Sequence, residues 1–96
     1  MKLLFMIYDV DFDEDVMGML SACHVTGYTK WDRVLGKGRE SDPKLDDAIW
    51  PGFNCAILVM IEDDLEEVIL KTVKELSDRL GNKGFKMFEL PVLRVI

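Results

Sequence analysis

Histidine is nearly absent from this 96-residue chain, with one copy, and cysteine and proline are scarce, with two and three. A lone histidine excludes a Ser-His-Asp triad or a Cys-His pair of ordinary design. His24 also adjoins Cys23 near a helix end, where a contact with the helix dipole accounts for it better than metal ligation does. Cys23 and Cys55 fall in an apolar helix and an apolar strand, and read as small buried hydrophobes rather than a disulfide framework. No H-E-x-x-H, C-x-x-C or Walker pattern occurs, and the acidic pairs have no cleft to work in. No catalytic residue and no metal ligand set is nominated, and the expectation is a protein that is not an enzyme. No apolar run approaches the roughly 20 residues that span a bilayer. The apolar start Met1 to Tyr8 is followed at once by Asp9 and Asp11, without a small-residue cleavage site, so the expected location is the cytoplasm. Cations are the minority, 12 Lys and Arg against 18 Asp and Glu, for a net charge of −6. Nucleic acid is thereby excluded as a main partner, because a polyanion needs clustered Lys and Arg. The acidic residues gather at Asp9 to Asp15 and Glu62 to Glu67, both where helices should begin, so helix-dipole stabilisation explains most of them.

What remains is a chain that is 49% apolar, read as one globular domain over residues 1–96. Lys2 to Tyr8 is a strand pattern. From Phe12 to His24, Val16, Met17, Met19, Leu20 and Cys23 recur at helical spacing, with Asp11 or Asp13 as N-cap and Gly27 closing the unit. Tyr28 to Leu35 alternates and is rich in Thr, Trp and Val, which predicts a strand; Cys55 to Ile61 is an unbroken apolar strand. Asp63 or Asp64 should cap a second helix with Leu65, Val68, Ile69, Thr72, Val73, Leu76 and Leu80 on one stripe, ended by Gly81-Asn82. Phe85 to Leu90 is a fourth strand. The order β-α-β-β-α-β predicts an α+β, ferredoxin-like split βαβ sandwich: an antiparallel sheet with two helices on one face. Strands Leu3 to Ile7 and Ala56 to Ile61 are apolar on both faces, whereas a sheet with a solvated face alternates. The uncovered face should therefore meet copies of the chain in a closed oligomer.

Between the second and third strands lies the segment from Leu35 to Asn54, longer than the connections of compact domains, which rarely exceed about 12–15 residues. At its start Gly36-Lys37-Gly38-Arg39 puts two glycines and two cations at a strand end, a combination that suits an anion. Gly81-Asn82-Lys83-Gly84-Phe85-Lys86 is a second such segment. Trp50-Pro51-Gly52-Phe53 has two readings: Trp50 and Phe53 anchor a partner, or they fold back and cap the sheet. Asp42, Asp46 and Asp47 form a solvated acidic loop or, less simply, oxygen ligands for a hard cation.

The sequence Val25-Thr26-Gly27-Tyr28-Thr29, then a strand, then Gly36-Lys37-Gly38-Arg39-Glu40 resembles the PII signalling protein family, in which a T-G-x-T element opens the second strand and a G-x-G-R element opens the T-loop. Gly52-Phe53-Asn54 before an apolar strand and the end Pro91-Val92-Leu93-Arg94-Val95-Ile96 are similar to PII-like proteins as well. The loop after the second helix has no T-G-x-x-G-D-G-K pattern and the long loop has no tyrosine, so the resemblance is to a divergent member. It implies a cytoplasmic homotrimer with an adenine-nucleotide effector at clefts between subunits. It also implies a T-loop-like segment at about 36–54 that docks on a membrane transporter or an enzyme. Carried over by position, Thr29 faces the adenine, Gly36, Lys37, Gly38 and Arg39 line the phosphates, Gly84 and Lys86 stand in a second phosphate loop, and Arg94 comes from the neighbouring subunit. Two other readings compete: a CutA-like trimeric divalent-metal-binding protein, with Cys23, His24 and acidic residues meeting at one site, and a small enzyme of the dimeric ferredoxin-like barrel type.

Overall fold

A computed structural model describes residues 1–39 and 42–96. Four strands, β1 (Lys2–Asp9), β2 (Thr29–Val34), β3 (Asn54–Ile61) and β4 (Phe85–Pro91), form one sheet in the order β2-β3-β1-β4, and every pairing is antiparallel. Helices α1 (Asp13–Ala22) and α2 (Glu66–Arg79) follow β1 and β3. This is the ferredoxin-like α+β sandwich that the element order predicts.

Period-two alternation decides which side chains meet the helices. Leu4, Met6 and Tyr8 of β1 and Cys55, Ile57, Val59 and Ile61 of β3 point into one core, with Val16, Met19 and Leu20 of α1 and Ile69, Val73 and Leu76 of α2. The alternate residues point the other way: Leu3, Phe5 and Ile7 of β1 lie in register with Met60, Leu58 and Ala56 of β3 and with Leu90, Phe88 and Lys86 of β4. Thr29 and Trp31 extend the same face on β2. Among the described residues no element covers it, and Trp31, Met60, Phe88 and Leu90 are each 43–53% exposed on it.

The helix ends differ from their expected caps. Neither Asp11 nor Asp13 caps α1; a 3-10 turn, Val10–Phe12, precedes it, and Asp9 caps that turn by accepting the Asp11 N–H at 2.9 Å. Asp13 is drawn instead to Tyr8 and Lys30. The helix is closed by His24, in the left-handed region at φ 59°, before Gly27 is reached. Likewise Asp63 and Asp64 lie in a 3-10 turn, Asp63–Leu65, with Glu62 at its N-cap position; Asp63 pairs with the N-terminal amine at 2.6 Å. Leu65, in that turn, and Val68, about 100° around α2 from the buried Ile69, are exposed. Gly81 and Asn82 both take positive φ and end α2 as expected.

Candidate functional site

The long connection is not a single open loop. At its neck Gly36 and Lys44 form an isolated antiparallel bridge: Gly36 N–H donates to the Lys44 carbonyl at 3.0 Å and Lys44 N–H to the Gly36 carbonyl at 2.7 Å. Lys37 and Arg39 are exposed just past the neck; Glu40, part of the G-x-G-R resemblance, and Ser41 lie outside the described residues. After Lys44 the chain winds into a compact knob. Leu45 and Asp47 N–H groups donate to the Trp50 carbonyl at 3.3 and 3.2 Å, and Asp46 N–H to the Gly52 carbonyl at 3.0 Å. Asp47 Oδ1 accepts from the Ile49 and Trp50 amides at 3.0 and 2.6 Å, an Asx turn. A bulge in β2 between Trp31 and Val34 redirects Arg33 to the knob. There Arg33 donates to Asp46 at 2.7 Å and lies 4.5 Å above the Phe53 ring. Asp46 and Asp47 thus have structural partners, and the hard-cation reading loses two of its three carboxylates.

The two aromatic residues of the segment part company. Phe53 folds back under Arg33, half-buried, and its carbonyl accepts the Val10 N–H at 3.2 Å. Trp50 stays 37% exposed beside Ile49, which is 77% exposed.

At the loop base several segments converge on Asp9, the last residue of β1. Its N–H donates to the Gly84 carbonyl at 2.8 Å, and its carboxylate pairs with the Lys44 ammonium. Burial works to raise the Asp9 pKa, but the Lys44 bond and the Asp11 amide outweigh it and hold the carboxyl below its ordinary value. Gly84 is required where it stands: its φ is +68° and an added Cβ would come 2.8 Å from Cε2 of Phe12. Gly36 and Gly84, nominated separately from sequence, are therefore both linked to Asp9, Gly84 through the Asp9 backbone N–H and Gly36 through the backbone of Lys44.

The other nominated residues lie apart. Thr29 and Lys86 share the open face but sit on opposite edge strands, about 14 Å apart at three strand spacings. Arg94 follows Pro91, whose partner Lys2 starts β1, so the chain leaves β4 about 24 Å from Asp9 along the strand. One copy of the chain does not assemble Thr29, Gly36 to Arg39, Gly84, Lys86 and Arg94 around one ligand. The gathering that the metal-binding alternative requires is also missing: among the described residues no three His, Cys, Asp or Glu side chains come together as a metal site.

Two groupings escape a reading of the sequence. Asp9 is there one of several acidic residues before a helix, and Lys44 one cation among loop aspartates; only the fold makes them a pair. Similarly Tyr8 donates to Asp13 at 2.7 Å and Lys30 Nζ lies 2.9 Å from the same carboxylate, joining β1, α1 and β2. Burial, then the Asp13 bond, raises the Tyr8 phenol; Lys30's own bond to Asp13 raises Lys30, and Lys30 and Tyr8 together lower Asp13 against the effect of burial. Cys55, in the core nearby, donates to the Asp32 carbonyl at 3.3 Å and its thiol is pushed up by burial, so it is not a reactive thiolate.

No family model and no curated protein matches the sequence. Solved structures do match in fold. A DUF3240 family protein from Shewanella baltica superposes with a TM-score of 0.71 at 16% identity, over 98% of this chain and 91% of that one. A protein assigned as PII-like signalling from Thermus thermophilus gives 0.67 at 15% identity, over 95% and 85%. CPII from Thiomonas intermedia, bound to ADP and bicarbonate, gives 0.66 at 18% identity, over 97% and 88%. The chain has the fold of the PII-like signalling proteins.

Proposed function

We propose that this chain is a PII-like regulatory protein: a homotrimer that binds a small anionic effector, an adenine nucleotide, at clefts between subunits. It regulates a membrane transporter or an enzyme through the loop at 36–54. The observation that carries the reading is the bare apolar face of the sheet, which spans all four strands and presents Trp31, Met60, Phe88 and Leu90 half-exposed. Removing such side chains from water stabilises an assembly by about 1 kcal/mol each when they begin half-exposed. With the faces packed together, the β2 edge of one copy and the β4 edge of another become neighbours, and Thr29 and Lys86 can serve one ligand from two chains. The nucleotide is proposed from the fold shared with CPII, whose structure holds ADP, together with the cationic glycine segment at the neck.

The output side rests on the knob. Its internal hydrogen bonds hold Ile49 and Trp50 outward, and an exposed tryptophan on an ordered turn is a low-entropy anchor for a protein partner. In this reading the protein is not an enzyme and works in the cytoplasm; among the described residues no helix is long and apolar enough to cross a membrane. Calorimetric titration with ATP, ADP, AMP and cyclic AMP tests the effector. Saturable binding of at least one below millimolar concentration is expected, and no binding of any at millimolar levels overturns the nucleotide assignment.

A further inference from the structure

We infer that the Asp9–Lys44 ion pair is an internal counter-ion lock, in which Asp9 holds the cation that a phosphate-bearing effector must take over. This rests on the reading of the loop base as an anion site. The backbone there is already committed: Gly36 gives its N–H to the Lys44 carbonyl, and Gly84 receives the Asp9 N–H. An incoming anion finds no free Gly36 amide, and it meets the Asp9 carboxylate, whose side chain is only 18% exposed. Lys44 is fixed at the same neck through both of its backbone groups, so only its ammonium is free to exchange partners. A phosphate or pyrophosphate group with more than one negative charge competes with a carboxylate for that ammonium.

The exchange has a consequence for the loop. Lys44 is followed directly by the knob, which is tied at its far end by Phe53 to Val10, next to Asp9. Both ends of the knob are therefore referred to the same corner. Drawing the Lys44 ammonium off Asp9 removes one of the near end's ties while the Gly36 bridge remains, so occupancy of the neck is reported as faster exchange at Leu45 to Phe53. Asp9 is a positioning residue here: it touches the neck and the Gly84 turn and sets how readily Lys44 is released.

Asp9→Asn is the informative variant, because Asn keeps an oxygen for the Asp11 amide and keeps the N–H for Gly84 while removing the charge. The full chain is titrated with inorganic pyrophosphate at low salt by calorimetry, and amide exchange is followed over Leu45 to Phe53. Asp9→Asn should bind pyrophosphate about tenfold tighter than the unaltered chain, the effect of freeing the Lys44 ammonium from a competing carboxylate. Adding Lys44→Met should abolish that gain, and the knob should exchange faster both in Asp9→Asn and in the unaltered chain with pyrophosphate. Unchanged affinity in a folded Asp9→Asn, or a gain that survives Lys44→Met, overturns the lock. Should Asp9→Asn lose its cooperative melt, Lys44→Met alone decides: the lock requires weaker pyrophosphate binding and faster knob exchange, and is overturned if neither changes. The adenine assignment fails separately, if ATP binds the unaltered chain no tighter than pyrophosphate does.

Discussion

Replacing Gly84 with alanine isolates the joint between the loop base and the first helix. Two contributions add. Gly84 has φ +68°, a conformation that costs an L-residue about 1–2 kcal/mol relative to glycine. The new Cβ would also lie 2.8 Å from Cε2 of Phe12 and 3.5 Å from Cβ of Asp9. The first distance is well inside van der Waals contact and the second is ordinary contact, so the ring, half-buried against the core, must move. Overpacking of that kind costs about 1–3 kcal/mol. The sum is about 2–5 kcal/mol, against a total stability on the order of 5–15 kcal/mol for a domain. Urea unfolding at one fixed protein concentration should show the midpoint falling with an unchanged slope. The two contributions separate in a Phe12→Leu background, which removes the ring edge but leaves the backbone demand. There the same alanine should cost only about 1–2 kcal/mol. A Gly84→Ala penalty below about 0.5 kcal/mol, or one that is identical in both backgrounds, would refute the assigned contact.

Lys30→Met leaves the partly buried Asp13 carboxylate with Tyr8 alone and should destabilise by about 1–2 kcal/mol, since some solvent still reaches Asp13; thermal unfolding checks it. Asp9 and Asp13 both have native pKa values below the ordinary one. A lowered native value stabilises fully above the unfolded pKa, near about 3.9, and the contribution is lost as pH falls through the native value. Unfolding free energy should thus be nearly flat from about pH 7 to 5 and drop below about pH 4, with a shallower drop in Asp13→Asn; an equally steep drop in that variant contradicts the assignment. Arg33→Ala removes both the Asp46 bond and the Phe53 stack, each worth about 0.5–1 kcal/mol at an exposed site. Amide exchange of the knob should accelerate several-fold while that of β1 and β3 stays the same.

The strands and helices are legible from apolar runs and helical spacing, and the antiparallel sheet from their β-α-β-β-α-β order. Leu4, Met6 and Tyr8 alternate with Leu3, Phe5 and Ile7, and α2 repeats Ile69, Val73 and Leu76 at helical spacing. The doubly apolar strands also point to an uncovered face, which the register places on one side of the sheet. What periodicity does not carry is which polar groups meet. Asp13 is as good an N-cap as any aspartate in the first turn, and nothing local says that Tyr8 and Lys30 will claim it. The chain from Leu35 to Asn54 reads as a loop because it has no period. Among its described residues order comes from the Gly36–Lys44 bridge, an Asx turn at Asp47 and a long-range clamp by Arg33, none of which leaves a repeating trace. The proposed anion site is half legible for the same reason: glycines and cations are visible in sequence, but the carboxylate beside them, Asp9, is brought there by β1. Thr29 and Arg94 are nominated by resemblance, and within one chain both lie far from Asp9.

Everything proposed for the effector and the loop presumes that copies of the chain close over the apolar face. Light scattering at micromolar concentration, run on the chain and on Phe88→Glu, addresses that directly. The chain of 11.0 kDa should scatter as a closed assembly, roughly 33 kDa for three copies, and Phe88→Glu should fall to the monomer mass with its helical and sheet signal retained. A monomer mass for the unaltered chain, or an unaltered assembly mass for Phe88→Glu, would contradict the account.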